Sequence, residues 1–149
     1  MKPFAEFTPA DIQKAGIVRF ITPLMIAKLI PTFVVTSPGS SFTITGGVIG
    51  TKSLPGWTAI AEYASAAEGV TRGLAVGLAP VRVNCVSPGS VMTEMHAHDP
   101  KQMIDYLTNA TLTKRLGRPE DMAEGYLYSI KDRYVSGASL NSNGGALLV

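Results

Sequence analysis

The sequence predicts an α/β fold, a parallel sheet of about three strands with helices packed on its faces. Two observations carry this. Short β-forming segments alternate along the chain with helical ones, and the connections between strands are long enough for crossovers rather than hairpins. A third sets the scale: 149 residues, 46% hydrophobic and 16% charged, with mean hydropathy +0.20, supply one packed core and exclude a disordered tail.

The elements follow in order. Thr8-Pro9-Ala10-Asp11 is a helix start, with Thr8 capping the free amides, Pro9 at the tolerated first position and Asp11 at the positive end of the dipole. The helix is expected over residues 9–29, with apolar positions on more than one stripe and therefore burial on two sides; Pro23 should kink it. After the Ser37-Pro38-Gly39 turn, Ser41–Thr45 reads as a strand stopped by Gly46-Gly47. Residues 57–78 are helical, with Ala59, Ala61, Ala64, Ala66, Ala67 and Gly69 giving a smooth surface that suits either an intramolecular helix or a subunit interface. Residues 81–87 form a second strand ended by Pro88-Gly89, Arg118-Pro119-Glu120-Asp121 opens another helix through Ile130, and residues 135–141 form a third strand before Gly144-Gly145.

Composition also limits partners and compartment. The net charge of +2 and pI of about 8.8 come from scattered Lys and Arg, so neither nucleic acid nor an anionic membrane is implied. The lone Cys85 excludes an intrachain disulfide and fits a reducing compartment. The opening Met1-Lys2-Pro3-Phe4 lacks a secretion-signal core, and later apolar runs are broken well before the length of a membrane span; the expectation is a soluble, cytoplasmic protein.

Four motifs stand in register: Thr71-Arg72-Gly73-Leu74-Ala75, then Pro80-Val81-Arg82-Val83-Asn84-Cys85-Val86-Ser87-Pro88-Gly89, then Leu116-Gly117-Arg118-Pro119-Glu120-Asp121, and the closing Gly144-Gly145. In order and spacing they resemble the C-terminal half of the short-chain dehydrogenase/reductases (SDRs). The resemblance covers nearly the whole chain. It implies a partial Rossmann-like parallel sheet, with residues 1–149 as a single truncated NAD(P)-binding domain lacking the N-terminal βαβ portion. It also implies NAD(P) as cofactor and homo- or hetero-oligomers built through the two long helices.

The departures from the family pattern matter as much. The family's Thr-Gly-x-x-x-Gly-x-Gly turn, whose glycines let the backbone approach the pyrophosphate at a helix N-terminus, is absent from these 149 residues. Gly46-Gly47 follows a strand, but Gly50 comes too late for the fingerprint. The family's general acid/base Tyr, its Lys four residues on, its Ser and its relay Asn align with Ile60, Ala64, Gly47 and Arg19, so no catalytic residue is assigned. Tyr63 is a nearby phenol, yet Ala67 stands where its Lys would be.

Pro88-Gly89-Ser90-Val91-Met92-Thr93 keeps the family pattern, and the resemblance carries Pro88, Gly89, Val91 and Thr93 over as contacts to the nicotinamide carboxamide. The plain alternative is a Pro-Gly turn out of the sheet. His96-Ala97-His98-Asp99 reads as part of the substrate lid rather than a metal site, so no metal is expected, and Cys85 reads as a packed thiol. The leading expectation is a truncated, catalytically inactive SDR homologue that does not bind NAD(P). The alternative is an NAD(P)-dependent oxidoreductase, or a non-redox biosynthetic enzyme on the same fold, with a small-molecule substrate near the loop of the 90s. Ser41–Thr45 should have an open outer edge, with Phe42, Ile44, Val83 or Cys85 partly uncovered.

Overall fold

A computed structural model describes residues 3–149; Met1 and Lys2, where the opening stretch was read for a secretion signal, lie outside them. Three strands, β1 (Ser41–Thr45), β2 (Arg82–Pro88) and β3 (Ser139–Ser142), form a parallel sheet in the order β1-β2-β3. The register pairs Phe42 with Val83, Ile44 with Cys85 and Val86 with Leu140.

The first helical region is one path of three pieces. Helix α1 (Pro9–Gly16) starts at Thr8, whose hydroxyl accepts from the Asp11 amide while Asp11 returns a bond to the Thr8 amide. It widens into a π turn at Ile17–Ile21, where the Thr22 amide donates to the Ile17 carbonyl, and continues as α2 (Thr22–Ala27). The kink expected at Pro23 in the helix over 9–29 takes the form of this π turn, which divides the helix: the ring of Pro23 cannot pack against the preceding turn, and the chain accommodates it by widening that turn. A short α3 (Ile30–Phe33) leads to β1. Within this chain one of the two expected sides is buried. Gly16 and Ala27 are buried on the inner side, whereas Val18 (74% exposed) and Met25 (54%) face outward uncovered.

Helix α4 (Thr58–Gly77) lies across one sheet face, where its Ala67 joins Ile44, Val83 and Cys85 in the core. Of the four side chains expected to be partly uncovered, Ile44, Val83 and Cys85 are buried under α4 and Phe42 alone is partly exposed, at the β1 edge. Helix α5 (Lys101–Asn109) follows the loop of the 90s, and α6 (Pro119–Lys131) covers the opposite face. Gly125 lets α6 approach, since a Cβ there would lie 3.2 Å from Leu140 Cδ2 and 3.5 Å from Val86 Cγ1. Strand β3 is shorter than the expected 135–141 because Gly137 adopts φ +77° and the Val135 carbonyl bonds to Asn84 Nδ2 at 3.0 Å. Among the described residues no helix is long and apolar enough to cross a membrane.

Candidate functional site

Because the strands are parallel, their carboxyl ends converge at one end of the sheet, and the loops leaving them form the candidate site. The segment after β2 is held on both sides. The Gly89 amide donates to the Ser142 carbonyl (2.9 Å), the Gly117 amide to the Ser90 carbonyl (3.0 Å) and the Met92 amide to the Gly117 carbonyl (2.9 Å). Gly89 is required by close approach, since a Cβ would lie 2.8 Å from Asn143 Cα. Val91 pairs with Gly117 in an isolated parallel bridge. Thr93 caps the 3-10 turn Glu94–His96, its hydroxyl accepting from the Met95 amide at 3.3 Å. Pro88, Gly89, Val91 and Thr93 therefore lie on one tethered loop whose conformation is fixed by its own backbone bonds.

Further along this loop His96 Nδ1 is 2.7 Å from Asp99 Oδ2, and His98 is exposed. Among the described residues no group of three or more His, Cys, Asp or Glu is placed to hold a metal ion.

The positions aligned with the family's catalytic side chains are placed by β1, the π turn and α4. Gly47 follows β1 in an extended conformation. Ile60 and Ala64 occupy successive turns of α4, and Ala64 is 2% exposed. Gly50 rests directly on that turn: a Cβ on it would lie 2.6 Å from the Ser65 amide nitrogen and 3.1 Å from Ala64 Cβ, and the Ser65 hydroxyl donates to the Gly50 carbonyl. Tyr63 belongs to the helix seam. A Cβ at Gly16 would fall 2.5 Å from its Cζ, and the Phe20 ring stands 6.1 Å away, centroid to centroid. The Gly46-Gly47 turn has a structural account too, because the Gly46 amide already donates to the Val86 carbonyl (2.8 Å) and a Cβ there would lie 2.7 Å from Ser87 Oγ. That amide is unavailable to a phosphate. Burial pushes the fully enclosed Cys85 thiol up from its ordinary value, with partial relief from Ser87. It stays protonated and packed.

A polar cavity of about 240 Å³ opens beside the loop, lined by Ser90, Thr113, Arg115, Asp121 and Asn143 among others. Arg115 Nη1 donates to Asp121 Oδ2 at 2.6 Å, and the same carboxylate accepts from the Arg118 amide at 2.8 Å, closing the N-terminus of α6. Arg115, and then the Arg118 amide, hold the Asp121 carboxyl below its usual range. Gly144 (φ +61°) completes the wall; its carbonyl accepts from the Leu112 and Thr113 amides at 2.8 and 3.2 Å. The motif reading found Gly144 and Asp121 but not Thr113 or Arg115, which lie in a loop with no local pattern to mark them.

An SDR-like Rossmann domain model matches residues 1–149. The chain belongs to the SDR family. It is 39% identical over 150 residues to the short-chain dehydrogenase/reductase malC of Malbranchea aurantiaca, and 41% identical over 152 residues to the short-chain dehydrogenase/reductase ATR9 of Stachybotrys chlorohalonatus. Those alignments cover 98% and 99% of this SDR chain but 57% and 60% of the relatives, so it spans somewhat over half their length. The solved structure of the MalC reductase/Diels-Alderase superimposes on all of it with a TM-score of 0.95 at 38% identity, using 59% of that chain. A small-chain dehydrogenase in complex with NADPH superimposes on 99% of it, covering 68% of that protein, with a TM-score of 0.90 at 27% identity.

Proposed function

We propose that this SDR chain carries the nicotinamide-facing half of the family's cofactor site, with Pro88, Gly89, Val91 and Thr93 lining the carboxamide end, and that by itself it neither holds NAD(P) nor transfers hydride. The observation that carries this reading is the filling of the general-acid and lysine positions by Ile60 and the buried Ala64 beneath Gly50. Proton transfer to a carbonyl oxygen needs a titratable group within hydrogen-bond reach, and these side chains offer none. The cofactor assignment leans on the NADPH complex of a structural neighbour and on the family resemblance. The loss of binding leans on the absent glycine turn and on the Gly46 amide being committed to the sheet. Calorimetric titration with NADPH and NADH to millimolar concentration tests it. No saturation is expected, and a micromolar constant would overturn the reading.

A second reading is favoured by the likeness to a protein named both reductase and Diels-Alderase. In it a longer chain containing this sequence is an NAD(P)-dependent oxidoreductase, or a biosynthetic enzyme without a redox step, with its substrate against the loop of the 90s. Genomic sequence upstream of Met1 separates the two: an in-frame strand and glycine turn favour the enzyme, and stop codons favour the shorter product.

We assign oligomerisation to the outer faces of α1, α2 and α4. There Gly69, Gly73 and Gly77 meet nothing within 4 Å, and Val76 and Val18 are 81% and 74% exposed. The cytoplasm is the compartment expected from the single-cysteine composition.

A further inference from the structure

We propose that the polar cavity between the loops leaving β2 and β3 is a binding site for one neutral, polyhydroxylated small molecule of pentose size, separate from the positions aligned with hydride chemistry. The sheet order puts the β2 loop between the two places, and none of Gly47, Ile60, Ala64 or Arg19 lines the cavity. The proposal therefore stands whichever functional reading holds.

Four segments converge here: Ser90 after β2, Thr113 and Arg115 ahead of α6, Asp121 in the first turn of α6, and Ser142 and Asn143 where β3 ends. Main-chain bonds fix each segment against another. The Gly117 amide donates to the Ser90 carbonyl, the Leu112 and Thr113 amides donate to the Gly144 carbonyl, and Asn143 Oδ1 accepts from the Gly145 and Ala146 amides at 2.9 and 3.2 Å. Gly144 at φ +61° also seats Thr113 closely, since a Cβ there would lie 2.5 Å from Thr113 Oγ1. A ligand does not have to order walls held in this way.

What the walls offer is uncommitted. Among the described residues no hydrogen bond reaches Ser90 Oγ, Thr113 Oγ1, Ser142 Oγ or Asn143 Nδ2. Arg115 uses only Nη1, on Asp121 Oδ2 and the Leu116 carbonyl, which leaves Nε and Nη2; Asp121 Oδ2 takes that bond and the Arg118 amide, which leaves Oδ1. The set combines hydroxyls that donate and accept, nitrogens that only donate and a carboxylate oxygen that only accepts. A polyol matches all three kinds, because each of its hydroxyls donates and accepts as well. An anion would satisfy the nitrogens but confront Asp121, and a cation would do the reverse. The paired guanidinium and carboxylate cancel the longer-range pull on either sign of charge. The volume of about 240 Å³ compares with roughly 30 Å³ for one liquid water, which leaves room for a molecule of about ten non-hydrogen atoms.

A hydroxyl that bonds to nothing else in the chain can be removed without disturbing the fold, and this separates binding from stability. Titration of the full chain with D-xylose, followed by amide nitrogen–proton NMR, should shift the Thr113, Gly117 and Gly144 amides saturably and leave Gly50 and Gly69 in place. Half-saturation should fall in the millimolar range that so small a ligand reaches. Sodium phosphate and methylammonium chloride at matched ionic strength should not reproduce the pattern. Thr113→Val and Ser90→Ala should each raise the half-saturation concentration about threefold or more, with an unchanged urea midpoint. Shifts that do not saturate, the same pattern with phosphate or methylammonium, or either variant binding as the parent does would overturn the proposal. So would a lowered urea midpoint in either variant, because the hydroxyl would then belong to the fold and not to a ligand.

Discussion

Replacing Arg82 by Met should cost this fold about 3 kcal/mol, although its guanidinium bonds to main-chain carbonyls rather than to a carboxylate. Arg82 is 3% exposed, and its guanidinium spends its donors on main-chain carbonyls: Nε on Pro38 (2.9 Å), Nη1 on Ser129 (2.9 Å) and Val135 (3.4 Å), and Nη2 on Ile130 (2.9 Å). Ser129 and Ile130 lie in the last turn of α6, where carbonyls lack helical partners and the dipole is negative. One cation therefore closes a helix end, ties it to β2 and anchors the loops on either side. Methionine keeps the length and removes every donor. Three good charge-assisted bonds would each be worth roughly 1.5–3 kcal/mol, and the relief of desolvating a charge offsets part of that total. A net loss of about 3 kcal/mol should move the urea midpoint by roughly 1.5 M at an m-value near 2 kcal/mol/M, and the Tm by roughly 6–12 °C. Arg82→Lys, reaching one or two of the carbonyls, should lose about half as much. Urea unfolding followed by far-ultraviolet circular dichroism gives the number, and hydrogen exchange should show the last turn of α6 losing protection first. A loss below about 1 kcal/mol with an unchanged m-value would show that water satisfies these carbonyls and that the cation is dispensable.

Cys85 should resist iodoacetamide in the native protein and react only at the rate of unfolding, since its thiol is fully enclosed and burial holds it protonated. The carboxyls of Asp121, bonded by Arg115 and the Arg118 amide, and Asp132, bonded by the Tyr134 and Val135 amides, sit below their ordinary 3.8. Folded values below unfolded ones mean stability present above that value and lost as pH falls through the lowered ones, so Asp121→Asn with Asp132→Asn should flatten the acid limb of the urea midpoint between about pH 5 and 2. The double variant Ile60→Tyr, Ala64→Lys should oxidise no NADPH with any carbonyl substrate, and Ala64→Lys alone should cost roughly 3 kcal/mol by crowding Gly50 and burying an ammonium; turnover by the double variant would count against the proposed function. Light scattering should give a dimer or larger species, and a strictly monomeric protein that binds no hydrophobic dye would refute the helix-face assembly.

What was legible in the sequence was legible for local reasons. The bounds of β1 were readable at both ends because Ser37-Pro38-Gly39 and Gly46-Gly47 punctuate it, and α6 was readable because Arg118, Pro119 and Asp121 form a start signal that the structure realises as a capping arrangement. Elements fixed by distant contacts were not. The start of β3 depends on Asn84, whose side chain takes the Val135 carbonyl and receives the Ala138 amide (3.2 Å), and on Ser136 Oγ, which accepts from the Val83 amide (3.2 Å). No window around residue 135 contains that information. Pro23 announced a distortion, but its form as a π turn rests on the seam where Gly16 and Phe20 meet Tyr63. Helix α5 escaped notice because its sequence is mostly polar and opens on Pro100 without a capping side chain.

Of the four positions that the resemblance aligns with the family's catalytic residues, position 64 has a physical consequence that alignment alone does not convey. Aligning Ala64 with a lysine identifies a missing amine. The structure adds that Gly50 lies within van der Waals contact of that turn, held there by the Ser65 hydroxyl and by the absence of its own Cβ. A lysine at 64 and the loop in its present place therefore exclude each other. Gly47, the position aligned with the family serine, belongs to the same loop. The contact constrains position 64 through Gly50, whereas a Cβ at Gly47 would meet only Ile49 Cγ2 at 3.8 Å, an ordinary contact. Arg19 adds a second constraint, since it stands on the π turn beside the open edge of β1, where a long cation borders a groove. A lysine at 64 therefore calls for a shift of the Gly50 end of this loop on α4 and not an exchange of side chains alone, because the close approach of Gly50 leaves no slack beside that turn.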